Sequence, residues 1–119
     1  MVDDEAPVRT ALRRLLRLAN YDVETFDGGD ALLAALGRRR LDCLLLDVNL
    51  QGLNGFEVLA HLNEAGCAIP TIFITASDDP DLDDASRRAG AKDLLRKPFS
   101  NEVLLAAVER ALGTKPKAS

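Results

Sequence analysis

Two short stretches of the chain are apolar at nearly every position and stop at a polar residue: Leu41-Asp42-Cys43-Leu44-Leu45-Leu46-Asp47 and Thr71-Ile72-Phe73-Ile74-Thr75. A strand wet on one face alternates apolar and polar residues, whereas a run without alternation suits a strand buried on both faces, as in a parallel sheet covered by helices. Tyr21-Asp22-Val23-Glu24-Thr25-Phe26 has the mixed pattern of a strand nearer the edge, and Asp93-Leu94-Leu95-Arg96 is a short strand ending before Lys97-Pro98. Helical spacing fills the intervals. Val8, Leu12, Leu15 and Leu16 share one face, with Arg9, Arg13, Arg14 and Arg17 on the wet side and Pro7 suited to the first turn. Ala31 to Leu36, Phe56 to Leu62, Leu82 to Ala89 and Val103 to Leu112 supply four more helices, the last opened by Ser100 as N-cap and closed by Gly113. This alternation predicts a parallel sheet with right-handed crossovers and helices on both faces.

One strand is short of residues. Before the first helix stand only Met1-Val2 and the acidic Asp3-Asp4. Either the strand continues in residues upstream of Met1 or it is stunted. The first is the expectation, because a central strand of two residues leaves its neighbours' backbone groups unpaired. With 119 residues, of which 47% are hydrophobic and 29% charged, the chain has the length and composition of one self-folding domain. The domain is expected over residues 1–113, with 114–119 as a polar tail or the start of a linker.

A net charge of −4 disfavours a surface built to bind nucleic acid directly. Cys43 and Cys67 make no CxxC pair and His61 is the single histidine, which leaves no zinc-like cluster and points to reduced thiols. His61 reads as a surface residue. There is no membrane-length apolar stretch and no basic start of a signal peptide, so a cytoplasmic location is expected.

In an open α/β sheet, ligands bind beyond the carboxyl ends of the strands. Here those ends carry Asp3 and Asp4, Asp47, Thr75 and Lys97. Carboxylates about 4 Å apart repel by about 4 kcal/mol at an effective dielectric of 20, so the cluster calls for a cation or a raised pKa. With oxygen donors only, the hard cation of choice is Mg²⁺, which commonly also takes a phosphate oxygen. Lys97 would balance charge on that phosphate and the Thr75 hydroxyl would donate to it. An aspartate directly after three leucines, as at Asp47, would be costly to bury without such partners.

Val2-Asp3-Asp4-Glu5, the Leu-rich strand ending in Asp47, Gly55 eight residues on, Thr75-Ala76, Gly90-Ala91 with Asp93, and Lys97-Pro98-Phe99 together resemble the receiver domain of two-component response regulators. The resemblance covers essentially the whole chain. It implies a doubly wound, flavodoxin-like α/β fold: a five-stranded parallel sheet of order 2-1-3-4-5 with five helices, its first strand truncated. It further implies that Asp47 accepts a phosphoryl group from a phosphohistidine of a sensor histidine kinase or phosphotransfer protein. Asp4 matches the direct Mg²⁺ ligand, Asp3 its acidic neighbour, and Asn49 the position that ligates through its backbone carbonyl. Asp47 completes that set. Thr75 matches the switch hydroxyl and Lys97 the lysine that neutralises the phosphoryl group, while Asn49 and Ser77 flank the site where its lifetime is tuned. The shift would be read on the face of the fourth helix, last strand and fifth helix, which in the family binds an output domain, often a transcription regulator, or forms a homodimer. Such a module turns over no separate substrate.

Two positions depart from the pattern: Leu94 replaces an aromatic switch residue, and Gln51 a proline that stiffens the turn. An aspartyl phosphohydrolase would want a second aspartate where Asn49 stands. A flavodoxin-like cofactor binder would want a glycine- or hydroxyl-rich loop where Asp3 and Asp4 stand. The alternative that Leu94 keeps open is a receiver-like interaction module that works without phosphorylation. Arg38-Arg39-Arg40 and the first helix's arginines are read as solvated faces.

Overall fold

The computed structural model describes residues 1–3, 5–36, 41–50 and 53–113. Asp4, Arg38 to Arg40, Gln51 and the tail 114–119 lie outside the described residues. Among the described residues five helices, α1 (Ala6–Leu18), α2 (Gly29–Ala35), α3 (Gly55–Glu64), α4 (Asp81–Ala89) and α5 (Asn101–Leu112), surround strands β1 (Leu44–Asp47), β2 (Thr71–Thr75) and β3 (Asp93–Arg96).

The three strands are parallel in the order β1-β2-β3. Leu44 pairs with Thr71 and Ile72 with Asp93, so the carboxyl ends of all three strands lie at one rim. Val2 forms single parallel bridges to Leu46 on one side and Phe26 on the other. The expected order 2-1-3-4-5 is therefore present, with its first two strands reduced to one bridge each. Among the described residues Tyr21 to Phe26 is extended without becoming a ladder; Met1 and Asp3 exchange backbone bonds with Phe26, and the Met1 amine donates to the Glu24 carbonyl. The apolar run from Leu41 is likewise a strand only from Leu44, where pairing with Thr71 begins.

The period-2 rule divides the core. Leu45, Ile72 and Ile74 join Leu12, Leu16, Leu104 and Val108 on the α1/α5 side. Leu44, Leu46 and Phe73 join Leu32, Val58, Leu59 and Leu62 on the α2/α3 side. The helix ends follow their chemistry. Asn54 and Glu57 form a reciprocal capping box at α3, Ser100 Oγ accepts the Val103 amide at 3.1 Å, and Gly90 and Gly113 close α4 and α5 in the left-handed region. Helix α4 differs from the others, since its one buried residue is Ser86. None of the described helices is long and apolar enough to cross a membrane.

Candidate functional site

Residues far apart in the chain meet at the carboxyl rim of the sheet. The Lys97 ammonium donates to Asp3 Oδ2 at 3.0 Å and to Asp47 Oδ2 at 3.2 Å. Each carboxylate holds its other oxygen in a local turn: Asp3 Oδ1 accepts the Glu5 amide at 2.9 Å, and Asp47 Oδ1 accepts the Asn49 amide at 2.8 Å. Both carboxylates are almost fully buried, Asp3 at 1% and Asp47 at 4% exposed, which makes the Lys97 contact costly to lose. Glu5 Oε1 lies 3.9 Å from the same ammonium.

Strand ends alone do not fix this geometry. Gly55, at the start of α3, donates its amide to the Val48 carbonyl at 2.9 Å. A Cβ there would stand 2.6 Å from the Asp47 carbonyl oxygen and 2.9 Å from the Val48 Cα. The glycine eight residues after Asp47 is thus the condition for α3 to pass directly behind the acidic residue.

Burial raises the Asp47 pKa; the Asn49 amide and the Lys97 ammonium oppose the rise, and Asp3 adds to it. Burial pulls Lys97 down, but its bonds to Asp3 and the charge of Asp47 outweigh that and hold it above its ordinary value. Oxygens of Asp3, Glu5 and Asp47 lie within 4.8 Å of one another. At that distance each pair of ionised carboxylates repels by about 3 kcal/mol at an effective dielectric of 20. An all-oxygen, acidic donor set suits a hard divalent cation, so these residues fit Mg²⁺.

The structure brings together Asp3, Asp47 and Lys97 of the expected site residues. Thr75 is buried at the end of β2, its Oγ1 accepting the Ser77 amide at 3.1 Å; no described hydrogen bond ties it to the carboxylates. Asn49 is exposed and contributes its amide to Asp47. Asp4 lies outside the described residues. His61 is exposed, as expected.

Sequence reasoning left two participants unassigned. Glu5 joins the carboxylate cluster, and its place two residues after Asp3 in an acidic run was the available signal. Arg9 is a correction: placed on the wet side by its helical phase, it is half-buried and donates to the Asp3 backbone carbonyl at 2.7 Å. Nothing in the spacing separates Arg9 from Arg13, Arg14 and Arg17, because the bond depends on how the chain turns from Asp3 into α1.

A family model for the response regulator receiver domain matches residues 1–109. Over 116 residues the chain is 41% identical to the response regulator MprA of Mycobacterium leprae, covering 97% of this chain and 51% of the relative. It is 38% identical over 112 residues to the transcriptional regulatory protein TdiR of Thauera aromatica, covering 94% of this chain and 49% of that one. The chain therefore spans about half the length of these relatives. A response regulator receiver protein from Burkholderia phymatum superposes with a TM-score of 0.86 at 42% identity, covering 98% of this chain and 94% of that one. The receiver domain of NtrX from Brucella abortus gives 0.88 at 30% identity, with 96% and 97% covered.

Proposed function

The chain belongs to the response regulator receiver domain family, and on that premise we propose that Asp47 is its phosphoacceptor, charged by a sensor histidine kinase or phosphotransfer protein. In the transfer, an Asp47 carboxylate oxygen bonds to phosphorus while the bond from phosphorus to the donor nitrogen breaks, the electron pair leaving with the imidazole. Buried at the rim, Asp47 is aimed by the Asn49 amide. Lys97 neutralises charge on the incoming phosphoryl oxygens, and the Thr75 hydroxyl is free to donate to one of them while its oxygen accepts from Ser77. Asp3, Asp4, Asp47 and the Asn49 carbonyl are the residues that would hold Mg²⁺, which when bound offsets the negative charge gathered at the transferring group.

The observation that carries this reading is the convergence of Lys97 on Asp3 and Asp47, residues 94 and 50 positions away. An acyl phosphate on Asp47 adds up to about two negative charges beside Thr75, enough to repack the loop behind that hydroxyl. The repacking is transmitted to the face of α4, β3 and α5, where an output domain or second copy is the partner. Residues 1–113 form this domain and 114–119 lead out of it as tail or linker. The module works in the cytoplasm and turns over no substrate other than its own aspartyl group.

The test is treatment with acetyl phosphate, read by intact mass. Wild type with Mg²⁺ gains one base-labile phosphoryl group; wild type in chelator and Asp47→Asn gain none. An unmodified wild type would contradict the reading and leave the phosphorylation-independent interaction module that Leu94 keeps in view.

A further inference from the structure

Arg96 ends β3 directly beside Thr75, its register partner at the end of β2. Lys97, the next residue, enters the acidic site; Arg96 reaches the other way. Its guanidinium holds both Asp83 oxygens, at 3.0 and 3.2 Å, and the Asp79 carbonyl at 2.7 Å. These bonds hold the Asp83 carboxyl below its ordinary pKa, Arg96 being the leading cause. Asp79 belongs to the loop that leaves Thr75, and that loop is itself a relay: the Ser77 amide donates to Thr75 Oγ1 at 3.1 Å, and the Asp79 amide to Ser77 Oγ at 3.2 Å. Arg96 closes the relay into a ring that begins and ends on adjacent strand termini.

Apolar packing does little to seat what this ring restrains. The one buried residue of α4 is Ser86, and its hydroxyl finds no hydrogen-bond partner among the described residues. Helix α4 meets the sheet through a few half-buried side chains and the Arg96 fork on its first turn. An element tethered mainly by exposed charged bonds is the one whose position a nearby charge change can reset.

We propose that Arg96 is a positioning residue that straps the loop after Thr75 and the first turn of α4 in their unphosphorylated arrangement, and that taking up a phosphoryl group requires the strap to give way. The inference rests on the phosphoacceptor reading of Asp47. Drawing the Thr75 hydroxyl toward a phosphoryl group pulls on Ser77 and Asp79, and the Arg96 bonds to Asp79 and Asp83 resist. Leu94 lacks the ring that would couple the strand to this loop by packing, which leaves the fork as the polar link between the end of β3 and the first turn of α4.

The experiment titrates beryllofluoride, a phosphoryl mimic, with Mg²⁺ into wild type, Arg96→Ala, Arg96→Lys and Asp83→Asn, following backbone amide signals. Arg96→Ala should bind about fivefold tighter, the scale of one exposed bidentate pair plus a charged bond to a carbonyl, and Asp83→Asn, which keeps the Asp79 bond, should tighten binding by less. Their Ser77 and Asp79 amides should already lie displaced toward the wild-type bound positions before any ligand is added. Arg96→Lys, which keeps the charge without the fork, should fall between. A purely structural role would act in the opposite direction, because a loosened loop must be ordered on binding and affinity drops. Equal or weaker binding by Arg96→Ala and Asp83→Asn, with unshifted amides, would overturn the strap. Absence of saturable binding by wild type would instead overturn the phosphoacceptor reading and the strap with it.

Discussion

Burial makes Asp47 harder to ionise than a free aspartate, and the Asn49 amide and Lys97 offset this only in part. The folded carboxyl therefore keeps its proton to higher pH than the unfolded one. Stability from this group is present below the ordinary value of 3.8 and is lost as pH rises through the raised folded value. Ionisation of Asp47 thus works against the fold, and Asp47→Asn should raise the Tm, with the gain shrinking as the pH of the melt is lowered. Lys97 behaves oppositely on removal. Lys97→Met leaves two buried carboxylates without their shared cation and should cost about 3 kcal/mol in urea unfolding. At this scale the sequence was informative where a residue type broke its surroundings, as Asp47 does after three leucines. It was silent on Arg9 and Arg96, which look like any surface arginine until the fold places a carbonyl or a carboxylate within reach.

Helix α3 shows how one element positions the site. It starts with a capping box and passes so close to the end of β1 that the Asp47 carbonyl occupies the space of a Gly55 side chain. Gly55→Ala should cost about 2–3 kcal/mol by overpacking against backbone, and should displace the Asn49 amide signal along with Asp47. Asn54→Ala, which loses only the cap, should cost about 1 kcal/mol and leave that signal in place. The strand at Thr71–Thr75 was legible as an apolar run stopped by polar residues, and Asp93–Arg96 as a short stretch ending before Lys97-Pro98. Tyr21 to Phe26 was legible as extended backbone, but whether extended backbone becomes a ladder depends on its partner, and the partner here is Val2.

Across the whole molecule, parallel topology turns separation in sequence into proximity. Each strand delivers its last residue to the same rim, and helices on both faces bury the runs behind it. The alternation of elements made this rim predictable, and the charges at strand ends made its chemistry predictable. The bond lengths and the inclusion of Glu5 were not, since they depend on how α1 and α3 leave their strands. If the rim holds a dication only when folded, binding is linked to stability. Mg²⁺ at about 100 times its Kd should add about 2.7 kcal/mol to unfolding, and chelator should reverse it. The most direct measurement is a Mg²⁺ titration followed by backbone amide signals in wild type and Asp3→Asn. Saturable shifts at Glu5 and Asn49, the amides bonded to the two buried carboxylates, should occur in wild type and weaken at least about tenfold in the variant, the scale of a removed ligand. Shifts that never saturate, or that saturate alike in both proteins, would contradict a single shared cation site.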